Sequence, residues 1–175
     1  MNLDRIIKGE IYMKKKIYFW VFSMVMIGML WSPQGLSVYA EEIEPAGYHE
    51  YIETEKESID HWYGIARGTY LKEGICGIKD AGKGKVSVSG TTMAHAVCDT
   101  IKVGVYLDES SDGGNSFGQI GSYYFSRENA SSCHGNKTDI SVTSGWYYMA
   151  RGGHSAIKGS TTETTTTKTR ALKCS

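Results

Sequence analysis

The sequence predicts an all-β domain: an antiparallel β-sandwich of about seven or eight strands, with a small β-barrel as the alternative closure. Three observations carry this. Val, Thr and Tyr, which favour strands, and Gly and Ser, which favour turns, dominate the chain after Pro45, and no proline follows that residue. Short runs alternate apolar and polar residues with period two, as in Ile101-Lys102-Val103-Gly104-Val105-Tyr106-Leu107, the mark of strands with one buried face. Polar and glycine-rich clusters separate the runs, as at Ala81–Gly84, Asp108–Asn115 and Glu128–Asn136.

Residues 1–40 read as a signal peptide. Lys14, Lys15 and Lys16 follow Met13, the expected start, and an apolar run extends from Ile17 to Trp31. Pro33, Gln34 and Gly35 end that run, and Val38-Tyr39-Ala40 suits a signal peptidase. The run is shorter than the ~18–20 residues a helix needs to span the hydrocarbon core. Acidic Glu41, Glu42 and Glu44 follow it in place of a basic stop-transfer pattern, so no stable membrane span is expected after cleavage. No cysteine precedes Cys76 to take a lipid near the exit. The expected location is therefore secreted or extracellular.

Residues 41–61 read as an acidic linker or leader. Between 41 and 60, eight acidic residues stand against Lys56 alone. A short helix over Glu50–Ile59 is the local alternative, since Tyr51, Glu55 and Ile59 fall on one face. From 61 onward, thirteen Lys and Arg stand against nine Asp and Glu. That is a mild positive balance, too small to suggest nucleic-acid binding.

Residues 62–175 are the expected sandwich domain. The pattern places strands near 62–70, 74–79, 84–93, 97–108, 117–126, 138–143, 145–157 and 161–172. Consecutive rings, Tyr123/Tyr124 and Tyr147/Tyr148, must send one ring to the core and one outside. Thr161–Thr169 reads as a last strand, because stiff β-branched threonines suit one. Asp108–Asn115 superficially resembles a calcium loop, but Gln119 stands where such a loop needs an acid, so a polar hairpin loop is expected. Asn129-Ala130-Ser131 and Asn136-Lys137-Thr138 match glycosylation acceptors and mark an exposed segment.

Cys76, Cys98, Cys133 and Cys174 are even in number, which in an exported chain permits two disulfides in three connectivities. Cys76 with Cys98 and Cys133 with Cys174 are the expected pairs, with buried free thiols the alternative. Cys133-His134 and His95-Ala96-Val97-Cys98 lack metal-motif spacing, so neither a metal nor another cofactor is expected. His95 and His154 are expected as partly buried strand residues with satisfied ring nitrogens.

Val88-Ser89-Gly90-Thr91-Thr92-Met93-Ala94, Cys98-Asp99-Thr100-Ile101-Lys102-Val103, Gly145-Trp146-Tyr147-Tyr148 and Gly153-His154-Ser155 together resemble a family of small secreted proteins of Gram-positive bacteria, classed as a domain of unknown function. The resemblance covers about residues 62–172. It implies export and an all-β domain, and it carries over no catalytic residue.

The functional expectation is a non-enzymatic binding or interaction module at the cell envelope or outside the cell. Its partner would be a cell-wall glycan or another surface or secreted protein. Exposed rings of Tyr124, Trp146 and Tyr147 would carry binding, since flat aromatic surfaces stack on sugars or peptide. A small secreted hydrolase or thiol enzyme using His95, Cys98 or His154 is the second reading. A secreted antibacterial or toxin-like domain, masked by the acidic leader, is the third.

Overall fold

The computed structural model describes residues 41–43, 45–65 and 70–175. The signal peptide read over 1–40, and residues 66–69 of the first expected strand, lie outside the described residues. Among the described residues there are nine strands: β1 (Glu41–Ile43), β2 (Gly47–Glu53), β3 (Glu57–Gly64), β4 (Leu71–Asp80), β5 (Lys85–Ser110), β6 (Gly118–Ser141), β7 (Tyr147–Lys158), β8 (Thr161–Lys168) and β9 (Leu172–Lys173). Among the described residues there is no helix, so none there is long and apolar enough to cross a membrane.

The strands form one sheet in the order β1-β8-β7-β5-β4-β3-β2, with β6 on β5 and β9 on β7. All pairings are antiparallel except β1 with β8. The all-β antiparallel expectation holds. The sheet curls into a half-barrel, a closure between the sandwich and the barrel that the alternation allowed.

One bent hairpin produces the curl. β6 follows β5 along most of its length, while the other side of β5 pairs with β4 over Val86–Ala94 and with β7 over Thr100–Ser110. Between these halves the β5–β6 register breaks from Met93 to Cys98, and Asn129 on β6 takes a left-handed φ of 49°. A short amide side chain tolerates that conformation. A bulged corner of this kind lets a strand leave one layer and enter another. Gly90 and Gly135 make the fold-over possible. A Cβ on Gly90 would lie 2.5 Å from Val105 and 2.7 Å from Val103, and one on Gly135 would run into the Phe125 ring.

The core fills the space between the two halves. Val86, Val88, Ile101, Val103, Val105 and Leu107 of β5 meet Ile78 of β4 and Tyr148, Ala150 and Ala156 of β7. Each such aliphatic side chain contributes about 1.5–3 kcal/mol through burial. At the open seam, buried Asp60 of β3 accepts from the Lys168 backbone N–H at the end of β8 (2.6 Å) and bonds His49 Nδ1 of β2 (2.9 Å).

Four expectations are corrected. Residues 41–61 carry β1, β2 and the first half of β3, so they are neither a free linker nor a helix over Glu50–Ile59. β2 is an edge strand exposed along its whole length, which is why its charge mimics a solvated tail. The strands expected at 84–93 and 97–108 are one strand, β5, and those at 117–126 and 138–143 are one strand, β6. Glu128–Asn136 looks like a turn because it is polar, yet its backbone stays on the β5 ladder. Finally, Cys76, Cys98, Cys133 and Cys174 are all buried free thiols. Their sulfurs point to protein oxygens instead of one another: Cys76 to Ala150 O (3.6 Å), Cys98 to Ala96 O (3.5 Å) and Cys174 to Asp80 Oδ1 (3.7 Å).

Candidate functional site

On the outer face of the β6-β5-β7-β8 half, four residues stand side by side at one register level. Tyr124 pairs with Gly104, Gly104 with Gly153, and Gly153 with Thr166. The Tyr124 ring lies across Gly104, and Gly153 leaves an open floor between this aromatic wall and the threonine hydroxyls. The next outward level along β5 carries Tyr106, Arg151 and Lys168 on β5, β7 and β8. Two open hollows result. One, of about 310 Å³, lies over Gly104 and Gly153 between Tyr124, Tyr106 and Thr164–Thr166. The other, of about 410 Å³, continues over Arg151, Thr166 and Lys168.

Tyr124 is 69% exposed, the most exposed aromatic ring of the core-forming strands. Its ring meets Tyr106 edge-on, with centroids 5.8 Å apart and planes at 83°. Their hydroxyl contact, with partial burial, holds the Tyr106 phenol above its usual range. Arg151 lies 5.3 Å from the centre of the Tyr106 ring. Its Nη2 donates to Asp108 Oδ1 and to Gln119 Oε1, both at 3.0 Å. Asp108 keeps this guanidinium firmly protonated, so the cation beside the groove is fixed in place and in charge.

Behind the floor, facing inward, sits His154, 2% exposed. Thr92 Oγ1 donates its single proton to Lys102 O (2.8 Å), so His154 Nδ1–H donates to Thr92 Oγ1 (2.9 Å). Nε2 then accepts from Thr167 Oγ1 (2.8 Å). Gly74 and Gly152 flank the ring, since a Cβ on either would come within 2.7 Å of it. Burial pushes the His154 pKa down to about 3, and the ring is neutral. Burial likewise pushes the Cys76 thiol up to about 12.

The candidate catalytic residues are not gathered into one place. His95 is exposed at the β5 corner, unlike its expected partial burial, and its backbone N–H donates to Tyr70 O. Cys98 is fully buried and turned to Ala96 O. His154 has both nitrogens engaged by threonines, as expected, but is fully buried instead of partly. Among the described residues, no group of three or more His, Cys, Asp or Glu could hold a metal ion. Of the stretch expected as a hairpin loop, Asp108–Ser110 still belong to β5, and the connection to β6 follows them; in it Asp112 accepts from Ser116 Oγ (2.5 Å) and from the backbone N–H groups of Asn115 and Ser116 (both 3.0 Å). A bond from Ser110 Oγ (2.6 Å) above all, together with these, holds its carboxyl well below the usual range.

The three candidate binding rings also part. Tyr124 lines the groove. Trp146 is half-buried and packs against the core. Tyr147 faces outward opposite Ser110, with the Lys173 ammonium 6.0 Å from its ring centre. Six residues of β5 separate the partners of Tyr124 and Tyr147, about 20 Å at ~3.3 Å per residue. The sequence assigns no binding role to Gly104, Tyr106, Arg151, Gly153, Thr166 or Lys168. The available signal was a glycine inside a regular apolar run, which often marks a close approach or an open floor.

No curated protein and no solved structure matches the chain. A family model, described as a family of unknown function (DUF6147), matches residues 36–172, and the chain belongs to that family.

Proposed function

We propose that this protein is a secreted, non-enzymatic carbohydrate-binding module acting at the cell envelope or outside the cell. The observation that carries the reading is the strip Tyr124–Gly104–Gly153–Thr166, held at one level by four paired strands. A sugar ring has an apolar C–H face and an edge of hydroxyls. The exposed Tyr124 ring offers apolar area to the first, and the threonine hydroxyls and the Tyr106 phenol offer hydrogen bonds to the second. The open floor at Gly153 lets a flat ring lie between them. Because the strip stands on sheet instead of loop, its geometry is set before the ligand arrives.

The test is retention of the purified protein on insoluble cell-wall preparations and on a glycan array, beside Tyr124→Ala. Losing one stacked ring should weaken retention about tenfold, on the order of 1–1.5 kcal/mol. Thermal stability should stay near that of the parent, because the ring is mostly exposed. Absence of retention on every glycan, or full retention by Tyr124→Ala, overturns the proposal.

A further inference from the structure

We infer that the groove runs on past Lys168 to Tyr51, and that the glycan it holds is an extended acidic chain whose negative charges meet Arg151, Lys168 and Arg170. This rests on the carbohydrate reading above and adds the ligand's length and charge.

Continuity is the first support. The two hollows at Tyr124 and Arg151 share Tyr106, Gly153 and Thr166. A third hollow of about 430 Å³ is lined by Tyr51, Phe117, Met149 and the segment 168–171, and shares Lys168 with the second. From Thr164 to Arg170 is six residues, about 20 Å of extended chain, more than one sugar ring fills.

Charge is the second support. Among the described residues, the charged side chains lining the three hollows are Arg151, Lys168 and Arg170, with no carboxylate. General basicity does not explain this, because the chain has equal numbers of acidic and basic residues. Arg151 is held from beside the groove by Asp108, and Arg170 by Glu53 (2.7 Å). Lys168, exposed at the junction, has no ion-pair partner among the described residues. Two of the cations also lie against rings, Arg151 by Tyr106 and Arg170 by Tyr51 (5.4 Å). Rings alternating with cations along a trench suit a ligand that alternates sugar faces with carboxylates.

The experiment measures affinity for matched pairs of oligosaccharides, each uronic-acid oligomer beside its neutral counterpart: galacturonate with galactan, mannuronate with mannan, glucuronate with glucan. The acidic member of at least one pair should bind about fivefold or more tighter than its neutral partner in dilute buffer. The gap should close in about 1 M salt, where the Debye length falls to about 3 Å. Lys168→Gln should remove most of the gap while leaving thermal stability in place. Neutral binding without acidic preference, or a gap unchanged in Lys168→Gln, overturns this inference and leaves the carbohydrate reading standing. Failure of every oligosaccharide to bind overturns both.

Discussion

His154 makes stability depend on pH in a way that can be worked out from its surroundings. The ring is 2% exposed, its nitrogens are engaged by Thr92 and Thr167, and burial lowers its pKa from 6.5 to about 3. In the unfolded chain the same imidazole titrates near 6.5. Below that pH the unfolded state binds a proton that the folded state refuses, so folding stability falls as pH falls. The loss begins near pH 6.5 and continues towards pH 3. Between pH 7 and pH 5 it amounts to about 2 kcal/mol, at ~1.4 kcal/mol per unit. That figure holds wherever the folded pKa lies, provided it is well below 5. In a domain of this size the midpoint temperature should drop about 7 °C. Urea unfolding at a series of pH values, for the parent and for His154→Gln, isolates the effect. Glutamine keeps a donor and an acceptor but does not titrate, and subtraction cancels the other histidines. The reasoning fails if both proteins lose stability equally between pH 7 and pH 5.

Gly90→Ala should cost about 1–3 kcal/mol, because the new methyl meets Val103 and Val105 across the folded sheet. Gly118→Ala meets nothing within 4 Å and should be neutral within about 0.5 kcal/mol, so equal melting temperatures for the two variants would refute the fold-over at Gly90. The four thiols should resist alkylation in the native protein and react in denaturant without any reductant, giving a mass increase of four adducts; a requirement for reductant would show that they are paired.

The features that were legible in the sequence are those that depend on neighbours two residues away. Ile101, Val103, Val105 and Leu107 face the core together, and Tyr148 is buried while Tyr147 is not, because period-two alternation is a local property. The corner was not legible. Nothing local says that Met93–Cys98 bends and continues instead of ending, since continuation depends on a partner strand more than thirty residues away in sequence. Polarity at Glu128–Asn136 reports exposure, and an exposed strand and an exposed turn share it. The groove was half legible: Tyr124 was expected outside, but that Gly104, Gly153 and Thr166 stand beside it follows from the register of three separate pairings.

Packing accounts for one glycine of the groove floor and not for the other. A Cβ on Gly104 would touch the Tyr124 ring at 3.3 Å, so that glycine lets the ring lie across it, and the pair could exist for sheet stability alone. Gly153 has no such reason. A Cβ there would meet only Tyr106, at the ordinary distance of 3.9 Å, and its φ does not lie in the left-handed region. Glycine in a strand interior costs roughly 0.5–1 kcal/mol relative to alanine. Gly74 and Gly152, by contrast, sit against the His154 ring, where any side chain would collide. Gly152, inward on β7, is thus demanded by packing, and Gly153, outward on the same strand, is not. An open floor beside an exposed ring is what a bound sugar requires, and a purely structural account of the strip leaves that glycine unexplained.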